Sequence, residues 1–157
     1  MATKKYVTFR LDDQLFGIDI VHVREINRLM EFTEVPGSPD YFYGLINLRG
    51  QIVSILDMKR RLGMGSAILG EHTHNIILKT EGPESGGSTG SGAELSGMSD
   101  RVGMLVDAIG DIVTAEENEI DAPPANLGEI DGQYLDNVFK AEQEVITLLN
   151  VGRLIAV

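Results

Sequence analysis

Apolar side chains recur along this chain with a period of two, whereas an amphipathic helix needs them every three or four residues. In Tyr6–Leu11, Val7, Phe9 and Leu11 alternate with Tyr6, Thr8 and Arg10, the pattern of a half-buried strand. Asp12-Asp13-Gln14 marks a turn, and Leu15–Ile20 resumes as a second strand. Val21–Ile26 reads as a short helical turn or a bend. Arg28–Val35 reads as extended chain, stopped by Pro36-Gly37-Ser38-Pro39. The clearest local signal is Gly44–Leu48, Arg49-Gly50, Gln51–Leu56: strand, tight turn, strand, with Gly50 supplying the positive φ such turns need. Met58–Leu62 predicts one short basic helical turn ended by Gly63. Further strands are expected at Asn75–Lys79, Arg101–Val106, Ile109–Val113, Gln133–Phe139 and Glu144–Leu149.

Many short strands with few helices imply an all-β fold of closed or nearly closed antiparallel barrels, which leave no edge exposed. In a chain of 157 residues, an SH3-like pair of small barrels fits better than one large barrel. Between two expected strands, Thr80–Asp100 is rich in Gly and Ser, free of aromatic residues and without apolar periodicity. It is expected to be a flexible, exposed loop, and its length inside a compact domain points to an insertion.

The 24 acidic and 13 basic side chains give a formal net charge of −11. Such a chain is poorly suited to nucleic acid or to anionic lipid. The charge is skewed: residues 1–79 hold ten basic and nine acidic groups, residues 80–157 three and fifteen. That skew reads first as a solubilising surface, and second as two halves presenting different faces to different partners. Cysteine is absent, which excludes disulfides, thiolate metal sites and thiol nucleophiles. No export signal follows Lys4-Lys5 and no run of 18 apolar residues occurs, so the cytoplasm is the expected compartment.

No catalytic constellation emerges. Gly86-Gly87-Ser88-Thr89-Gly90 satisfies the GxSxG pattern, but its flanks build neither the strand nor the helix that hold a nucleophile elbow. His22, His72 and His74 all precede Ser88, against the order that elbow requires. Glu71, His72 and His74 offer metal-ligand types on one short stretch, yet next to an expected loop they read as exposed side chains. Asp19, Glu25, Asp57, Asp107 and Asp111 lie in or beside strands and read as turn caps, ion-pair members or solvated groups. Neither a cofactor nor a metal is expected.

Three segments resemble the chemotaxis coupling protein family, CheW. They are Phe16–Ile26; Val35–Pro39 followed by Gly44–Asp57 with its Asn47-Leu48-Arg49-Gly50 core; and Val102–Asp107. The resemblance spans nearly the whole chain, in order, as a single CheW-like domain over 1–157. It implies two SH3-like five-stranded β-barrel subdomains sharing a hydrophobic core, with short helical segments. It also implies a non-enzymatic adaptor that joins the regulatory domain of the histidine kinase CheA to the cytoplasmic tips of methyl-accepting chemoreceptors, without touching the membrane itself. Carried over by motif, Val23, Glu25, Arg49, Gly103 and Ile112 are expected in a receptor-facing groove, with Glu25 and Arg49 as an ion pair. Ile20, Ile26 and Gly44 are expected to contact the kinase from the first barrel. Two departures stand out: the long Thr80–Asp100 segment, and Ser54 where the family commonly has proline.

Three other readings compete. One is the coupling protein of a parallel chemosensory pathway, serving surface motility or pili. Another is a small β-barrel enzyme or ligand- or metal-binding module using Glu71–His74. The last is a kinase regulatory domain within a larger protein; a start at Met1 and an end soon after the last expected strand weigh against it.

Overall fold

In the computed structural model, residues 3–28, 31–79, 101–122, 130–141 and 144–155 are described. The expected loop at Thr80–Asp100, with its GxSxG segment, lies outside them. Two sheets account for most of these residues. One has six strands: β1 (Thr3–Leu11), β2 (Gln14–Asp19), β8 (Ala108–Glu116), β9 (Ile120–Asp121), β10 (Leu135–Lys140) and β11 (Val145–Leu149), in the order β8-β1-β2-β11-β10-β9. The other has five: β3 (Val23–Arg28), β4 (Phe42–Leu48), β5 (Gln51–Asp57), β6 (His74–Leu78) and β7 (Val102–Val106), in the order β3-β6-β7-β5-β4. Each sheet is antiparallel except at one pair, β2 with β11 in the first and β5 with β7 in the second. Helices α1 (Met58–Leu62) and α2 (Val151–Ile155) are single turns.

Side-chain alternation explains the packing. On β7, Val102, Met104 and Val106 enter a cluster shared by both sheets, while Leu105 enters a cluster of the five-stranded sheet alone. Ile76 and Ile77 divide in the same way on β6. On the six-stranded side Val7, Phe9, Leu11, Phe16 and Ile18 supply the shared cluster, and Tyr6, Ile146 and Leu148 the sheet's own. The shared core between two subdomains is therefore present. The expected equal count of five strands is not. After β8 a single 3-10 turn, Glu117–Glu119, carries the chain to Ile120–Asp121, which adds a sixth short strand beside β10. That link makes one stretch of chain supply both ends of the six-stranded ladder, and so curls it toward a barrel.

The chain crosses between sheets at two tight points. Asp19 ends β2 and its carboxylate accepts the Val21 N–H at 3.0 Å, capping the 3-10 turn Ile20–His22 that leads into β3. Asp107 alone separates β7 from β8. The expected bend at Val21–Ile26 is thus a turn of three residues followed by a strand. Because of these crossings, β1 and β2 from the near-neutral half share a sheet with β8–β11 from the acidic half. The two halves of the sequence are not the two subdomains.

Asp57, read as a turn cap, accepts the Lys59 and Arg60 N–H groups at 3.0 and 3.2 Å and starts α1, which Gly63 ends at φ 82°. Lys59 is buried and reaches Asp12 at 2.6 Å and Asp107 at 3.4 Å. Burial acts to lower its ammonium pKa, but the Asp12 hydrogen bond and the Asp107 charge outweigh that and hold it above the ordinary lysine value. Burial, with nearby Asp19 and Asp136, raises the Tyr6 phenol; burial, with Asp57 and Glu34, raises that of Tyr43.

Two outcomes follow from this packing. A group whose pKa is raised on folding stabilises the fold fully below its unfolded value, and that contribution is lost as pH climbs through the folded value. Lys59, Tyr6 and Tyr43 all act in this sense, so the urea midpoint is expected to fall once pH passes about 10. A midpoint unchanged up to about pH 11.5 would remove all three from the account. Glycine contacts give the second. A Cβ on Gly44 would sit 2.9 Å from the Thr33 carbonyl oxygen and 2.7 Å from the Phe32 ring, whereas the nearest atoms to one on Gly103 would be the Cδ1 methyls of Ile55 and Ile77 at 2.8 and 2.9 Å, the far ends of flexible side chains, and the Ile76 carbonyl oxygen at 3.4 Å. Gly44→Ala is expected to cost about 1–3 kcal/mol and Gly103→Ala less, read by urea denaturation.

Candidate functional site

Arg49 and Gly50 join β4 to β5, and both carry positive φ, 51° and 85°. A two-residue turn with both central residues in the left-handed region is the type I′ geometry that matches strand twist. Gly50 adopts it freely; Arg49 does so at a local cost. The Asn47 side chain steadies the turn by accepting the Gly50 N–H at 2.9 Å. The guanidinium of Arg49 is thereby held out at the hairpin tip.

Glu25 reaches the same place from the far edge of the sheet. It pairs across β3–β6 with Ile77, and directly opposed residues share a face, so Glu25 lies on the side that carries the sheet's own apolar cluster. Arg24 is the extra residue of a bulge between Val23 and Glu25, which re-aims its side chain. Arg49 Nη2 donates to Glu25 Oε2. In ladder order β3 and β4 are opposite edges, so this bond forms only because the sheet curls round. On the other flank Thr33 bridges to Leu45 of β4 through N–H···O bonds of 2.8 and 2.9 Å. The two contacts nearly close the five-stranded barrel.

A cleft opens at that closure. Arg24, Glu25, Arg49, Gln51 and Arg101 form its polar walls, and Leu48, Val53 and Ile77 its apolar floor. Three arginines and one glutamate line it, in a chain of net charge −11. Ser54, where the resembled family commonly has proline, donates its backbone N–H to the Arg101 carbonyl at 2.8 Å. Proline lacks that donor, so here the start of β7 beside the cleft is tied to β5 by a bond the usual residue cannot make.

The expected site residues are distributed as follows. Glu25 and Arg49 meet. Val23 is half-buried against the shared core. Gly103 is buried on β7 between Ile55 and Ile77, where its missing side chain makes room for the barrel interior. Ile112 is 56% exposed on β8, in the other sheet, and does not line the cleft. Ile26 and Gly44 lie in the five-stranded sheet and Ile20 in the crossing turn, so these three do not share the first barrel. The physical reason is the crossing at Ile20–His22, after which strands β3 to β7 all belong to the five-stranded sheet. Gly44 is buried, and the chain's own Phe32–Thr33 segment lies against it.

Sequence reasoning missed Arg24, Gln51 and Arg101. Arg101 had a signal, as one of only three basic residues in an acidic half. Glu71 and His72 are exposed and 3.7 Å apart, and His74 Nδ1 lies 2.7 Å from the His72 carbonyl oxygen. Among the described residues no group of three or more His, Asp or Glu converges on a metal-sized site.

The arrangement has a counterpart in known proteins. A family model described as the CheW-like domain matches residues 5–157. The chain belongs to the CheW-like family. It is 33% identical to the chemotaxis protein CheW of Rhizobium meliloti over 94% of this chain and 84% of that protein. It is 27% identical to Protein FrzA of Myxococcus xanthus, over 97% and 85% respectively. Among solved structures, the scaffolding protein TtCheW from Thermoanaerobacter tengcongensis superposes with a TM-score of 0.79 and 28% identity, covering all of this chain and 90% of that one. The CheW-like family match and the curled sheets agree on the fold.

Arg49 is largely exposed, so its ion pair with Glu25 contributes little to stability through water. Arg49→Asn keeps a side chain that tolerates positive φ while removing the guanidinium. It is expected to change the unfolding free energy by less than about 1 kcal/mol, measured in urea. A larger loss would show that the pair is a structural brace.

Proposed function

We propose that this chain is a non-enzymatic, cytoplasmic chemotaxis adaptor that couples methyl-accepting chemoreceptors to the histidine kinase CheA and is recruited by them to membrane arrays. The observation that carries the reading is the Glu25–Arg49 pair, built by the family's motif residues at the mouth of a cleft. A guanidinium fork set on a left-handed turn is preorganised, so it can exchange Glu25 for a partner's group at little conformational cost. Val23 and Ile112 extend the receptor-facing surface, and Gly103 serves it from within by keeping the barrel narrow. Ile20 and Ile26 are proposed for the kinase, with the apolar centre such interfaces favour, and Gly44, buried under Phe32–Thr33, is proposed to shape that surface from within. The chain works as one CheW-like domain, since its largest core belongs to both sheets.

A second reading, the coupling protein of a parallel chemosensory pathway, is favoured by the similarity to FrzA, a relative that does not carry the CheW name. Adjacent receptor and output genes separate the two.

Receptor-bearing membranes are expected to pull down CheA only when this protein is added. Failure to recruit the kinase would sink the adaptor reading. Arg49→Glu is expected to weaken receptor association at least about tenfold, through like-charge contact with Glu25, with thermal unfolding near that of the wild type. Unchanged receptor affinity in that variant defeats the groove assignment.

A further inference from the structure

Lys59 is unusual in this molecule. It sits on α1, after the last strand of the β4–β5 hairpin, yet only 5% of its side chain is exposed. Its ammonium reaches two carboxylates from different parts of the chain. Asp12, at 2.6 Å, belongs to the β1–β2 turn of the six-stranded sheet. Asp107, at 3.4 Å, is the single residue by which the chain passes from β7 to β8. The same Asp107 carboxylate accepts the Asp12 backbone N–H at 2.7 Å, and Asp12 has a positive φ of 57° there. The Asp107 N–H in turn donates to the Arg10 carbonyl at 3.1 Å. One crossing residue is therefore gripped from both sheets.

A buried lysine is a costly way to gain stability, because desolvation offsets most of the attraction and an apolar side chain of similar size often does as well. Apolar packing between sheets is also non-directional and tolerates small rotations, whereas charged hydrogen bonds fix an angle. What Lys59 adds to the shared apolar core is direction. β8 starts at Ala108, immediately after the gripped residue, and carries exposed Ile112; β3 and the β4–β5 turn carry Glu25 and Arg49 in the other sheet.

We propose that Lys59 is a positioning residue: by bridging Asp12 and Asp107 it sets the angle between the two sheets at which Ile112 and the Glu25–Arg49 cleft form one receptor-facing surface. The inference deepens the receptor reading above and rests on it for its functional half. Its structural half stands on the geometry of the clamp.

The chain contains no cysteine, so two introduced thiols can be labelled selectively. Ile52→Cys on β5 and Val145→Cys on β11 are exposed positions on different sheets, suited to spin-label distance measurement. In the labelled protein a narrow distance distribution is expected. Lys59→Met is expected to broaden or shift it while the thermal midpoint moves by less than about 5 °C. In unlabelled protein, Lys59→Met is expected to lower affinity for a chemoreceptor cytoplasmic fragment about tenfold, and Lys59→Arg to restore both readouts. If Lys59→Met does not fold, Asp107→Asn, which keeps the acceptor for the Asp12 N–H and drops the charge, reads the same distance. An unchanged distribution overturns the clamp. A broadened distribution with undiminished receptor affinity overturns the positioning role. A wild-type protein that does not bind the receptor fragment sinks the receptor reading instead, and the distance distribution still decides the clamp.

Discussion

Burial of the central strands on both faces governs this molecule. On β6 and β7 every residue from Asn75 to Leu78 and from Val102 to Val106 is buried, so neither face of those strands meets water. Alternate side chains serve different cores, one between the sheets and one within the five-stranded sheet. A register slip of one residue would exchange the two sets and leave both cores misfilled. The register is thus fixed from two sides, and every surface feature inherits its position from it.

The cleft is a consequence of that register. Glu25 lies opposite Ile77 because β3 pairs with β6 in one way only, and Arg49 stands at the end of β4 because the hairpin closes in two residues. These groups sit at opposite edges of a ladder and meet because the sheet, filled by its own apolar cluster, curls until its edges approach. Nothing in the exposed ion pair is strong enough to impose the curl. The pair reports the closure and gives it a polar end. The cleft sits on a frame whose energy lies elsewhere, so its charge is not needed to hold the fold.

Most strands, the hairpin, α1 and the Glu25–Arg49 pairing were legible in the sequence, because each rests on local alternation, a turn residue or a motif; β3 was not, since Val21–Ile26 read as a helical turn or a bend. The left-handed Arg49 was less so: the Gly50 signal was sufficient to place the turn, and nothing in a lone arginine announces positive φ. β9 was illegible for a simpler reason, since two residues carry no periodicity. The division into sheets also escaped, because the crossings at Ile20–His22 and Asp107 are too short to mark a boundary in composition. Charge by sequence half misled for the same reason, as strands from both halves interleave in the six-stranded sheet. Lys59 read as part of a basic helical turn; its burial depends on Asp12 and Asp107, residues 47 and 48 positions away, which no window of sequence joins.

An adaptor must offer separate surfaces whose relative placement is constant, and it has no reaction to drive. This fold supplies constancy through a core common to both sheets. The chain as a whole carries a net charge of −11, while the cleft is lined by Arg24, Arg49 and Arg101 with a single carboxylate, Glu25. If the cleft is the contact proposed above, an acidic group on the partner would be attracted there and opposed by like charge elsewhere, which would select its orientation. Removing surface acid would be expected to loosen specificity before it weakened binding, because the repulsion that excludes wrong orientations lies outside the contact itself.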